Sequence, residues 1–321
     1  MQSDKQEAVS GLFSNFGLPF LLVILFIFFS SITDTFLTAA NLEGLILSAA
    51  ISGLLFLGLT WVFTIGEMDV SFVAVAALAN MITAGMVIGG YGWPLATFCA
   101  IAAAVFVGFF NGFLIAKMRL PSLVTTIATG GMASALAAAI GLGSSMGIEE
   151  TGYLEVLFDT KIGIISMVVL LTLTIIAACW YVEEKLTLGH YIFSMATNPR
   201  AALEAGIPTA RITIILCVFS AICSGAAGIL LAVQLASGQP SIAQSLFLDG
   251  LTAVLLGGTM LKLGKPNILG TMVGVLIIAV LVRGGALLGW SDAAFSTIKG
   301  LLLLFGVAVV VWTNKSSSDI R

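Results

Sequence analysis

The sequence predicts an all-α fold, a polytopic membrane helix bundle with about ten transmembrane helices. Three observations lead to this prediction. Hydrophobic residues make up 59% of the chain and charged residues only 9%, whereas soluble domains carry about 25% charged residues. The apolar residues fall into runs of about 20, the length that crosses a bilayer as a helix. Finally, the tryptophans lie near the ends of these runs, as in an interfacial aromatic belt.

The individual spans follow from the requirement for roughly 17–25 predominantly apolar residues per crossing. The third span is interrupted by Asn80 and Gly85, and the eighth is short. Pro19 is placed in the first turn of the first span, where its missing N–H has no helical partner to lose. The predicted spans are 18–38, 44–65, 71–89, 94–116, 122–143, 162–181, 211–235, 247–261, 266–288 and 293–313.

The distribution of basic residues predicts the orientation of these spans. With the N-terminus inside, only Lys161 falls in an outer loop. The inner segments contain Lys5, Lys117, Arg119, Lys185, Arg200, Arg211, Lys262, Lys265, Lys315 and Arg321. Because cytoplasmic loops are enriched in Lys and Arg, we expect both termini in the cytoplasm.

The longest polar interruption is residues 183–211, which we call the polar segment. Connections of this length are usually functional. Within it, Asn198 suits an N-cap, Pro199 the first helical position, and Gly206 the residue after the helix end. A helix this short is unstable alone. It must therefore lie against its own bundle, the membrane surface or a partner. We favour docking to another protein, through Asn198, Pro199, Arg200, Ala202, Leu203, Glu204, Ala205 and Gly206.

Polar residues inside the spans have two interpretations. They could line a path for a hydroxylated solute, or they could form hydrogen bonds between helices. The candidates are Asn80, Asn111, Thr125, Thr126, Gln234 and Arg283. For Arg283, pairing with Asp249 or Asp292 is the favoured alternative, since buried charges in membranes usually pair.

The segment GEMDVS, residues 66–71, places Glu67 and Asp69 between two spans. Carboxylates in a membrane region suggest function. The favoured interpretation is nevertheless structural: Asp69 or Ser71 caps the third span at the inner interface. Glycines at small-xxx-small spacing, including Gly108 with Gly112 and Gly270 with Gly274, predict close packing of helices.

Segments 109–131 and 281–300 both run from an apolar helix through a polar turn into another apolar helix. Internal duplication is common in transporters, although any two helical hairpins share this pattern.

Several functions are excluded. The net charge of −3 and the lack of a basic patch exclude nucleic-acid binding. Around Lys265, Thr259 and Pro266 occupy positions where a P-loop requires Gly and Ser or Thr, so ATP binding of that kind is excluded. No catalytic residues, metal ligands or cofactor are predicted in this chain, and a membrane enzyme is the least favoured class.

Four segments, residues 66–71, 109–129, 189–207 and 248–274, together resemble the permease subunits of ribose-type ABC sugar importers. The resemblance covers roughly residues 40–312 and implies one permease domain, 1–321, that transports a small sugar or polyol. It also implies a location in a bacterial inner membrane, a cytoplasmic ATPase partner that binds ATP and Mg²⁺, a periplasmic solute-binding protein, and a second permease copy or paralogue. Residues 198–206 would then be the coupling helix that inserts into the ATPase.

Two alternatives to sugar import remain. One is an ion-coupled secondary carrier, which would need ionisable groups or broken helices near the middle of the membrane. Arg283 and the break at Gly257 and Gly258 fit that requirement. The other is an ABC permease for a non-sugar solute such as a nucleoside or an amino acid.

Overall fold

The computed structural model describes residues 2–149 and 152–318. Within these residues the chain is almost wholly helical, with four two-residue strands paired as β1 with β4 and β2 with β3. The helices are α1 Gln2–Ile32, α2 Ala39–Thr64, α3 Phe72–Ile88, α4 Trp93–Ala116, α5 Ser122–Ile140, α6 Glu155–Asp159, α7 Met167–Lys185, α8 Thr187–Thr197, α9 Pro199–Glu204, α10 Thr209–Gln234, α11 Leu246–Gly257, α12 Ile268–Leu287 and α13 Asp292–Ser318. The strands are β1 Met146–Gly147, β2 Lys161–Ile162, β3 Ile165–Ser166 and β4 Ser237–Gly238.

Each predicted span overlaps one long or apolar helix, and the all-α membrane fold is confirmed. Among the described residues, 7 helices are long and apolar enough to cross a membrane: α2, α4, α5, α7, α10, α12 and α13. The remaining three predicted spans correspond to shorter apolar helical segments, Phe16–Ile32, Phe72–Ile88 and Leu246–Gly257. The total of about ten crossings and the internal duplication therefore stay predictions. The short helices include α3 and α11, which correspond to the third and eighth spans.

The prediction for the first span is wrong at both of its ends. Helix α1 begins at Gln2, so Pro19 lies inside it instead of in its first turn, and α1 ends at Ile32. Hydropathy marks the part of a helix suited to lipid, whereas the backbone of α1 continues through the polar residues that precede this part. The predicted cytoplasmic location of both termini concerns Met1 and residues 319–321, which lie outside the described residues.

The chain forms two compact units, and α2 begins in one of them and ends in the other. The single permease domain inferred from the sequence stays a prediction. The first unit comprises the chain up to Ala49 and from Leu248 onward. In it, Gly274 of α12 lies so close to α11 that an added Cβ would come within 2.9 Å of the Cα of Ala253. Gly284 of α12 lies directly against the ring of Phe29.

The second unit comprises Ala50–Phe247 and is built around α3. Helices α4, α5 and α10 pack against α3, which is buried along most of its length. An added Cβ at Gly112 would come within 2.7 Å of the Cα of Ile214 on α10. The predicted close packing at Gly108 and Gly112 is thus confirmed, because a larger residue at either position would separate α4 from α10.

Candidate functional site

The N-terminus of α9 is stabilised by its own sequence, as predicted. The side chain of Asn198 accepts a hydrogen bond from the amide of Ala201, with Oδ1 and N 3.1 Å apart. Pro199 occupies the first turn, where its missing N–H costs no helical hydrogen bond. These two residues begin a helix of 6 residues in a position where the preceding helix, α8, has just ended.

The C-terminus of α9 is a Schellman motif. The amide of Ile207 donates to the carbonyl of Ala202 and the amide of Gly206 to that of Leu203, both at 3.0 Å. Gly206 has a φ of +82°, a conformation that glycine adopts without steric cost. The predicted stop at Gly206 is confirmed, and α9 has a stabilising motif at each end.

The two sides of α9 differ in exposure. Ala202 is 4% exposed, whereas Leu203 is 61% exposed. Arg200 and Glu204 are also exposed and lie one helical turn apart, on the same side as Leu203. This side of α9 therefore exposes one apolar, one basic and one acidic side chain. We call it the docking face.

Most of the polar residues proposed to line a solute path form hydrogen bonds within the second unit. Asn80 is fully buried; its Nδ2 donates to the carbonyl of Gly228, and its Oδ1 accepts from the amide of Gln239. Thr125 Oγ1 donates to the carbonyl of Pro121. Thr126 Oγ1 contacts the carbonyl of Met68 and the amide of Val70, which holds the loop before α3 against α5.

Asn111 belongs to a buried cluster around Asp69. The Asp69 carboxylate accepts hydrogen bonds from the amide and hydroxyl of Ser71, at 2.9 and 2.6 Å, and from the hydroxyl of Ser220, at 3.0 Å. Asn111 Nδ2 donates in turn to Ser71 Oγ. Asp69 and Ser71 are the two candidates for the cap of the third span. Ser71 occupies the N-cap position, but its side chain forms no capping hydrogen bond. The carboxylate of Asp69 accepts a hydrogen bond from the amide of Ser71.

Arg283 and Gln234 take no part in these hydrogen bonds. Arg283 Nη2 donates to the carbonyl of Gly44, at 3.0 Å, and to the hydroxyl of Ser48. The expected pairing of Arg283 with Asp249 is wrong, because Asp249 instead pairs with Lys299 at 2.6 Å. Among the described residues, Arg283 forms no ion pair with Asp292 either. Gln234 is half-exposed at the end of α10. The solute path stays a prediction for all six residues.

A comparison with protein families identifies the chain. Residues 41–307 match the family described as the permease component of the branched-chain amino acid transport system. The chain belongs to this permease family. The match includes the loop before α3, the docking face and α11 to α12, which are also the segments that carry the resemblance described above.

Several relatives of this permease are named as sugar permeases or transporters. It is 32% identical over 310 residues to the ribose import permease protein RbsC of Bacillus subtilis, covering 93% of each chain. It is 30% identical to the L-arabinose transport system permease protein AraH of Escherichia coli, covering 96% of this chain and 94% of that protein. It is also 31% identical over 262 residues to the galactofuranose transporter permease protein YtfT of Escherichia coli, covering 80% and 75%. No solved structure gives a significant match. These relatives confirm the resemblance to sugar importer permeases.

Two features of the polar segment of this permease were missed from the sequence. Helix α8 precedes α9, is in contact with α7, and buries Gly189, Ile192 and Met195. The three-residue spacing of these residues indicates a helix and could have revealed α8. The second feature is the buried side chain of Glu183, which accepts a hydrogen bond from Trp61. No local pattern marks that contact.

Proposed function

We propose that this permease is the transmembrane subunit of an ATP-driven importer that translocates a small sugar or polyol. The names of the ribose, arabinose and galactofuranose permeases, which it resembles over most of its length, support this substrate class. A periplasmic solute-binding protein delivers the solute, and a second permease copy or paralogue completes the pathway. The permease lies in the bacterial inner membrane with both termini in the cytoplasm, in agreement with its basic residues.

The observation that carries this proposal is the docking face of α9. An isolated helix of 6 residues is too short to persist in water. Here two terminal motifs stabilise it, and yet Leu203 is left exposed. A separate cytoplasmic ATPase that binds ATP and Mg²⁺ covers Leu203 and transmits its conformational change through α9. The sequence contains no P-loop of its own, which is consistent with this division of labour.

An amino acid is the second candidate solute, because the matching family is described by branched-chain amino acid transport. The three relatives named above favour a sugar. They also favour an ATP-driven importer over an ion-coupled carrier.

Uptake into proteoliposomes tests the proposal. The permease is reconstituted with its candidate ATPase and binding protein, and radiolabelled ribose, arabinose, galactose and leucine are supplied in turn. We expect ATP-dependent uptake of one of the sugars and none of leucine. Uptake of leucine and of none of the sugars would show that the transported solute is an amino acid. Uptake by the permease alone, driven by a proton or sodium gradient without ATP, would refute the proposed mechanism.

A further inference from the structure

Helices α3, α4 and α5 enclose an open groove of about 770 Å³ in the second unit. Its walls are almost wholly apolar and include Phe106 and Phe110 of α4, Met132 and Leu136 of α5, and Leu78 of α3. The rings of Phe106 and Phe110 are stacked with their centroids 6.3 Å apart. Both rings, Met132 and Leu136 are exposed, so no other part of the described chain covers the groove.

The turn between α4 and α5 carries two exposed cations, Lys117 and Arg119. The acidic residues that flank this turn in the sequence are Asp69, in the loop before α3, and Glu149, with none between them. Within residues 2–149 and 152–318, neither cation forms an ion pair with the protein. Arg119 also has a φ of +57°, a conformation that residues other than glycine rarely adopt. Strained backbone of this kind persists where the surrounding structure enforces it and is concentrated at functional sites.

The groove and the cations are aligned along α4. Phe110 and Lys117 are seven residues apart, a rise of about 10 Å along the helix. Because α4 and α5 both qualify as membrane spans, the turn between them lies at a membrane surface. One leaflet of the hydrocarbon core is about 15 Å thick. A lipid whose headgroup contacts Lys117 and Arg119 would therefore place an acyl chain beside Phe110 and Phe106.

We propose that this groove holds an anionic phospholipid, with its phosphate group on Lys117 and Arg119 and one acyl chain against Phe106, Phe110 and Met132. Unpaired cations at the membrane surface attract anionic headgroups and discriminate them from zwitterionic ones. A second copy of the permease fits this face less well. A two-fold interface with its axis near this turn would bring the cations of the two copies close together.

Native mass spectrometry of the purified permease tests this site. Dioleoylphosphatidylglycerol and dioleoylphosphatidylcholine are compared because their acyl chains are identical. We expect tighter binding of phosphatidylglycerol and a loss of about fivefold in its affinity for each of Lys117→Gln and Arg119→Gln. Lys185→Gln, which removes another exposed cation that we place at the inner surface, is the control and should leave the affinity unchanged. Met132→Trp should fill the groove and weaken the binding of both lipids.

Equal affinity for the two lipids would overturn the proposal, and so would phosphatidylglycerol binding that survives Lys117→Gln with Arg119→Gln. Cross-linking of Phe110→Cys between two copies, unaffected by added phosphatidylglycerol, would show that a second permease occupies the groove instead. Lys117 and Arg119 are exposed, so their variants should retain the thermal unfolding midpoint of the unmodified protein. The proposal does not depend on the transported solute or on the ATPase, and its failure would leave the proposed function intact.

Discussion

The indole Nε1 of Trp61 donates a hydrogen bond to Oε2 of Glu183 across 2.9 Å, which joins α2 to α7 where the polar segment begins. Both side chains are buried. The ring of Trp61 lies against Phe219 of α10, with the centroids 5.0 Å apart. Gly189 of α8 packs directly on the backbone of Glu183. This contact therefore anchors the segment that leads to the docking face.

Trp61→Phe should lower the stability of the permease. The substitution keeps an aromatic ring but removes the N–H that Glu183 accepts, and losing a buried hydrogen bond to a charged group costs about 1.5–3 kcal/mol. Glu183→Gln retains an acceptor oxygen and should cost less. Trp180→Phe, at an exposed position on α7, is the control. Equal thermal unfolding midpoints for Trp61→Phe and Trp180→Phe would argue against the anchoring role.

The terminal motifs of α9 predict that Asn198→Ala weakens ATPase binding while Leu203 remains in place. Loss of the N-cap costs about 1 kcal/mol of helix stability, and the partner must then supply this energy on binding. Asn198→Asp should bind normally, because Asp is an equally good N-cap. The dissociation constant, measured with the purified ATPase, should rise about fivefold for Asn198→Ala. If Asn198→Asp weakens binding as much as Asn198→Ala does, loss of the N-cap does not explain the weaker ATPase binding.

The cluster at Asp69 predicts that Ser220→Ala destabilises the second unit. The hydroxyl of Ser220 is one of the donors to the buried carboxylate of Asp69, and removing it should cost about 1.5–3 kcal/mol. Ser224→Ala is a matched control on the same helix, because its hydroxyl donates only to the carbonyl of Ser220. Unfolding by denaturant in detergent measures both changes. A larger loss for Ser224→Ala would contradict the role assigned to Ser220.

The ion pair between Asp249 and Lys299 links α11 to α13. Lys299→Met alone should destabilise the permease by about 3–5 kcal/mol, because it leaves a buried carboxylate without its partner. The double variant Asp249→Leu with Lys299→Met should recover most of this loss, since apolar replacement of a buried pair is often neutral. Denaturant unfolding of the single and double variants measures the difference. Additive losses in the double variant would show that the two residues do not depend on each other.

Local features made the helices, including α9, predictable from the sequence. An apolar run of about 20 residues crosses lipid stably as a helix, because a helix satisfies the backbone hydrogen bonds within the segment. Asn198, Pro199 and Gly206 act within the few residues around them, so their pattern is visible without tertiary structure. The start of α1 was not predictable in this way, because its polar N-terminal residues carry no signal of lipid contact.

Contacts between distant residues could not be predicted. Trp61 and Glu183 are 122 residues apart in the chain, and no local pattern pairs them. Arg283 shows the same limit: the sequence indicates that its charge needs a partner, and the structure supplies a carbonyl and a hydroxyl of α2 in place of an aspartate. For Asn80 and Asn111, the sequence reveals a polar residue within a span but not the helix face that it occupies.

The most direct test of the central claim is ATP-driven sugar uptake by the reconstituted complex with Leu203→Asp in the permease. A charge at this exposed apolar position should weaken ATPase binding about thirtyfold and abolish uptake, because the interface would bury a carboxylate without a partner. Leu142→Asp, at a leucine that is 93% exposed and that we place on the outer side, is the matched control and should transport normally. Unchanged uptake and ATPase binding in Leu203→Asp would contradict the proposed docking face.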